Sequence, residues 1–292
     1  MEGNVIRGTE PEQEVKKERK KVRPSRLISK VWKGLRHNYC FDMAAELGFY
    51  FLYSLFPLLI FLAAMTSFLP IASSPGKVLA AAKEFLPDYL FTLAGPTLID
   101  LIFTPRKLLA AGTLALAFWS GSSAISSLMA ALNRIHCVRE QRSYWRTTGI
   151  SLILTITMVG AILTAVTLVV TGPVVGNWLI TKVGFSSLLG MAIWGFRWGI
   201  WVTLMFLVLA MLFSYGPNIQ RPFKVFSPGA FITLVGQFIF SEFFRYYLEN
   251  SGSFNVFYGA AGGIVGLMSW LYMMGLMILA GAQVNHELGK MN

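Results

Sequence analysis

An all-α polytopic membrane protein with six transmembrane helices is the fold class this sequence predicts, and three observations predict it. The 292 residues are 55% apolar and only 13% charged, whereas soluble domains carry roughly a quarter charged residues. Mean hydropathy is +0.58, with 23 Phe, 13 Met and 8 Trp. Six runs of about 20 apolar residues, the length that crosses a ~30 Å hydrocarbon core, follow one another along the chain. Lipid offers no partner for a free backbone N–H or C=O, so each run is read as a helix. The runs are too long and too evenly apolar for the alternating strands of a barrel.

The elements follow in order. Met1 to Met43 holds eleven Lys/Arg, among them Lys16, Lys17, Arg19, Lys20, Lys21 and Arg23. Its hydrophilic stretch is too long for a signal peptide and includes Glu12 and Glu14, so residues 1–30 are expected to form a disordered cytoplasmic tail. Residues 31–288 are expected to be the six-helix domain, with spans at about 47–69, 108–132, 150–172, 188–213, 225–244 and 259–284, and 289–292 a short tail. Between the first two spans, the apolar run Leu86 to Phe103 is interrupted by Pro87, Asp88, Gly95, Pro96 and Asp100. It is read as part of two short interfacial helices, Gly76 to Leu86 and Asp88 to Phe103, rather than as a seventh crossing. With the tail inside, 18 Lys/Arg fall on the cytoplasmic side and six outside, which puts both termini in the cytoplasm. Cys40 and Cys137 then lie on the reducing side, and two cysteines build no disulfide framework.

Arg197 is the most informative single residue, about nine residues inside the outer end of the fourth span and hence ~14 Å deep. A guanidinium at that depth needs a partner or water. Glu242 in the fifth span is the expected partner. Trp194 and Trp201 sit on the same side of the helix at i−3 and i+4. Two alternatives stay open: a buried pair that fixes helix register, or a pair that lines a polar cavity.

The first span carries Glu46, Tyr50, Tyr53, Ser54 and Pro57 on one face, expected to look inward. Ser120, Ser123, Ser127 and Arg134 form a similar stripe on the second, and Gln237, Asn133 and Asn285 add amides. The serines fit tight packing through bonds to their own i−4 carbonyls, or a hydroxyl-lined path. Asn285 and His286 are expected at the membrane interface. Gly195 and Gly199, and Gly262 and Gly266, are at G-x-x-x-G spacing and are read as helix-packing contacts.

Chemistry that needs clustered side chains finds no support. The three histidines, His37, His136 and His286, are scattered, and no D-x-D, H-x-H or H-E-x-x-H occurs. A P-loop and a G-x-S-x-G elbow are missing too. No catalytic residue, metal or cofactor is expected, and the chain is read as a non-enzyme. The basic tail lacks the interleaved aromatics of a nucleic-acid platform, so anionic lipid headgroups are its expected partner and nucleic acid is not.

Several strings carry a resemblance. The first span reads AAELGFYFLYSLFPLLIFLAA (Ala44 to Ala64), and the second ends WSGSSAISSLMAALNRIHCVRE (Trp119 to Glu140), followed by QRSYW. Later come SYGPN (Ser214 to Asn218), SPGAF (Ser227 to Phe231) and YGAAGGIVGLMSWLYMMGLMILAGAQVNHEL (Tyr258 to Leu288). Together they resemble the YihY/BrkB family, from about Val31 to Leu288. The departures are Glu46, where a small residue is expected, and His136, in place of a tyrosine. The resemblance implies a six-helix protein of the bacterial plasma (inner) membrane. Members have carried a ribonuclease BN label regarded as a misassignment and a virulence-factor label, and no catalytic residues carry over. The resemblance implies no agreed activity, and transport or lipid handling is the one suspected for the family.

Two functional expectations result. In the first, Arg197 and Glu242 bind the anionic group of a lipid or amphipathic solute in a polar cavity, and the Trp side chains face its apolar part. In the second, the protein is a non-transporting envelope scaffold.

Overall fold

The computed structural model describes residues 24–66, 107–183, 187–219, 223–250 and 253–291; the side chains of 24, 59, 62–66, 162, 165–194, 248–249, 253–262 and 291 fall outside that description. The described residues form seven helices and no strand: α1 Pro24–His37, α2 Cys40–Thr66, α3 Lys107–Ile135, α4 Tyr144–Val183, α5 Ser187–Tyr215, α6 Pro228–Asn250 and α7 Ser253–Met291. Each of the six expected spans falls on one of α2 to α7. The expected interfacial helices between the first two spans lie outside the described residues. Lys107–Ile135, Gly195–Tyr215 and Gly263–Lys290 are long and apolar enough to cross a bilayer.

Two differences from the expected boundaries have physical causes. Helix α1 begins at Pro24, inside the segment expected to be disordered, because its charge hides an amphipathic period: Leu27, Val31 and Leu35 recur at helical spacing. Helices α4, α6 and α7 also outrun their apolar cores, α4 reaching 40 residues, or about 60 Å. Apolarity marks where lipid is, not where the helix stops.

Helix α2 packs between α3 and α7; α3 then meets α4, α4 meets α5, and α6 meets α7, while α5 and α6 touch only lightly. The buried cluster joins Ala44 and Leu47 of α2, Leu128, Met129 and Leu132 of α3, Leu154 of α4, Leu209 and Leu212 of α5, Ala230 of α6, and Ile278 and Leu279 of α7. It therefore unites the starts of α2, α4 and α6 with the ends of α3, α5 and α7, so successive helices alternate in direction. The start of α2 and the end of α7 share one end of the bundle.

Small residues set the closest approaches. A Cβ on Gly281 would run into the Thr233 hydroxyl and the Gly229 carbonyl, so α6 and α7 cross in near backbone contact. A Cβ on Gly48 would come within 3.2 Å of the Tyr272 nitrogen, and one on Gly275 within 3.4 Å of Leu47. The pairs expected to do this work do not. Among the described residues nothing lies within 4 Å of a Cβ at Gly195 or Gly199, and Gly266 meets only Phe244 at 3.8 Å. The surroundings of Gly262 lie outside the described residues. Spacing permits close approach, but only a facing backbone uses it.

Candidate functional site

At the end of the bundle that holds the buried cluster, two arrangements of polar residues adjoin. The first starts from the way α3 stops. Val138 N–H donates to the Asn133 carbonyl and Cys137 N–H to that of Arg134, both at 3.0 Å, with Cys137 at φ 55°; this is a Schellman ending with Cys137 in the left-handed position. The reversal aims the following loop back over the helix. Asn133, buried in the last turn, donates to Glu140 at 2.8 Å and accepts from the Asn218 backbone at 2.6 Å.

Glu140 is gripped by Arg142 through two parallel bonds of 2.7 Å and a backbone N–H at 3.0 Å. The Arg142 guanidinium also donates to the carbonyls of Tyr215 and Gly216, at 3.1 and 2.8 Å, where α5 ends. Arg142, Asn133 and the backbone together hold the Glu140 carboxyl at about 2, against a smaller opposing push from desolvation. Asn218 closes the circuit by donating to the Arg139 carbonyl at 3.1 Å. Gly216 is required, since a Cβ would strike the Leu212 carbonyl and come within 2.7 Å of Leu132. This knot ties the end of α3, the α3–α4 loop and the end of α5. Its strong donors and acceptors face one another, which suits anchoring rather than reaction.

The second arrangement is a cleft of about 660 Å³ beside the knot. His136, Ser214, Lys224, Ser227 and Asn285 supply its polar lining, and Phe213, Ala282 and Leu288 its apolar wall. Ser227 caps α6: its hydroxyl oxygen accepts from Ala230 N–H at 3.1 Å and from the Asn285 amide at 3.1 Å. Asn285 in turn accepts from Gly229 N–H at 2.8 Å. With both acceptor positions used, the Ser227 hydrogen is left to donate to a third partner. Lys224 is exposed, and among the described residues no carboxylate pairs with it. The cleft thus offers a cation, hydroxyl donors and the positive end of a helix against an apolar wall.

The residues singled out in the sequence are placed differently. Glu242 bonds Arg245 at 2.6 Å, with the two side chains 48% and 67% exposed. It is not the partner of Arg197, a correction with a local cause: Arg245 lies one turn away on the same helix, while α5 and α6 barely touch. Arg197 is half-buried and does not line the cleft beside the knot. Trp201 is half-buried, edge-on to Trp198 at 5.8 Å, and the Trp194 side chain lies outside the described residues. Gln237 donates to the Met274 carbonyl of α7 at 3.4 Å.

The stripe on α2 does not all look inward. Pro57 is buried and Tyr50 half-buried, but Tyr53 is exposed and stacks on Phe49. Ser54 and Ser123 donate to carbonyls of their own helices, those of Phe51 and Trp119. Ser127 instead donates to Glu46 at 2.7 Å, joining α3 to α2. Ser122, off that row, joins α3 to α4, its hydroxyl 2.7 Å from that of Ser151. His286 is buried, and its ring meets that of His136 edge-on at 5.1 Å. Sequence reasoning assigned no role to Glu140, Arg142, Asn218, Lys224 or Ser227. The signal was there, because SYGPN, SPGAF and the Asn285 string were already distinctive.

A helical bundle with bilayer-length apolar helices defines the class, a membrane protein. Residues 31–292 match the family model described as Virulence factor BrkB, and the chain belongs to that family. A Bacillus subtilis (strain 168) protein named as ribonuclease-like, YfkH, is 33% identical over 250 residues, covering 85% of this chain and 89% of the relative. UPF0761 membrane proteins of Tolumonas auensis and Vibrio campbellii are each 26% identical, covering 92% of this chain and 87% and 86% of theirs. No solved structure matches.

Proposed function

We propose that this chain is a non-enzymatic, six-span protein of the bacterial plasma membrane, with cytoplasmic termini, that moves an anionic lipid or amphipathic solute. The cleft carries the reading. Lys224 with the Ser214 and Ser227 hydroxyls fits a phosphate or carboxylate, and Phe213, Ala282 and Leu288 fit the attached apolar portion. Arg197 is a second polar station on α5, 17 residues before Ser214, or about 26 Å along the helix. The alternation of helix direction supports termini on one side, and the excess of Lys/Arg there supports the cytoplasmic side.

The test is reconstitution in vesicles with fluorescent phosphatidylglycerol and an impermeant quencher. A hydrogen bond to a charged group contributes roughly 1.5 kcal/mol or more, so Lys224→Glu is expected to slow lipid movement about tenfold. Arg197→Ala is expected to slow it as well. If the wild-type protein moves no lipid, or both variants match it, transport is overturned. That outcome favours the second reading, a scaffold, which draws on the serines bonded within their own helices and on the closed Glu140–Arg142 knot.

A further inference from the structure

Helix α1 has two apolar margins, and the bundle covers only one. Leu35 and Asn38 are buried and Val31 packs on the core. Asn38 donates to Gln283 of α7 at 3.0 Å, and the Gly34 position is so close to the Gln283 amide that a Cβ would collide with it. That seats α1 across the end of α7. The other margin, Ile28 and Trp32 one turn apart, is 69% and 50% exposed. Beyond it the remaining surface carries Arg26, Lys30, Lys33 and Arg36, and the helix has no acidic residue. The Arg36 guanidinium lies 5.3 Å over the Trp32 ring, which packs edge-on to Phe41 at the start of α2.

We propose that α1 rides on the surface of an anionic bilayer, with Ile28 and Trp32 dipped among the headgroups and Arg36 and Lys33, the cations on the side next to Trp32, holding phosphates beside them. The helix is fixed at the end of a membrane-crossing bundle, where a bilayer surface runs past it, and its exposed apolar margin has a use in lipid and none in water. Charge complementarity selects the lipid: a cation at the surface favours an anionic headgroup by about fivefold. Nucleic acid would match the cations and leave Ile28 and Trp32 without a role. This surface is independent of the cleft, and the inference stands whether or not the protein transports.

The experiment uses the full chain in vesicles with Cys137→Ser and Ile28→Cys, the remaining Cys40 being buried. A fluorophore on residue 28 is quenched by brominated phosphatidylglycerol or brominated phosphatidylcholine in otherwise identical bilayers. Quenching by both lipids, several-fold stronger for phosphatidylglycerol, is expected. The preference falls toward parity in Lys33→Glu/Arg36→Glu and in molar salt. A probe at Lys30→Cys on the opposite face is expected to stay unquenched, and Trp32→Cys repeats the measurement if Ile28→Cys does not fold. Absence of quenching at residues 28 and 32 assigns the margin to water, nucleic acid or a protein partner and overturns the proposal. Equal quenching by the two lipids overturns it as well.

Discussion

Among single residues, Glu140 shows how a carboxylate becomes structural. Its ordinary value is near 4.5 and the Arg142 fork lowers it to about 2. The stability this lends is complete above the unfolded value and is lost as pH falls from about 4.5 through about 2. Thermal melts in detergent followed by circular dichroism are expected to show that loss in the wild type and a shallower one in Glu140→Gln. At neutral pH Glu140→Gln is expected to melt lower, because Arg142 keeps its carbonyl partners but not its counter-charge. The residue scale is also where the sequence says least about partners. Arg197 was conspicuous because it interrupts an apolar run, but conspicuousness says nothing of what a side chain reaches. Glu242 found Arg245 one turn away. Asn133 was singled out for its amide, and its partners lie in two loops no periodicity can locate.

Elements are held by what faces them. All six long helices were legible, because apolar length is a one-dimensional property, whereas their crossings were not. The G-x-x-x-G pairs were the visible signal, yet the tightest crossing joins Gly229 and Gly281, single glycines on different helices. Gly281→Ala adds a methyl group where Thr233 and the Gly229 carbonyl already stand, and is expected to cost about 1–3 kcal/mol. Gly199→Ala meets open space among the described residues and is expected to be neutral or stabilising by up to about 1 kcal/mol. Unfolding titrations of the reconstituted protein check both. Helix α1 escaped notice for the complementary reason: its signal is periodicity within a charged segment, and a search for apolar length passes over it.

For the whole molecule, alternation of direction puts the α3–α4 loop at the same end as both termini, and the native cysteines test that arrangement. Cys137 is exposed; Cys40 is buried, and burial pushes its thiol up to about 11 despite the opposing pull of Arg134. An impermeant maleimide is expected to label Cys137 in inside-out vesicles and not in intact cells, and to spare Cys40 until the protein unfolds. Labelling of Cys137 from outside would reverse the orientation. The cleft is walled by parts of two fastened pieces. Asn133, Glu140 and Arg142 lash α3 to α5, while Gly229, Gly281 and Asn285 lash α6 to α7. Across the gap His136 meets His286. Helix α2 packs against both pieces, so the vice they form is pinned at its back and the fold itself sets its aperture.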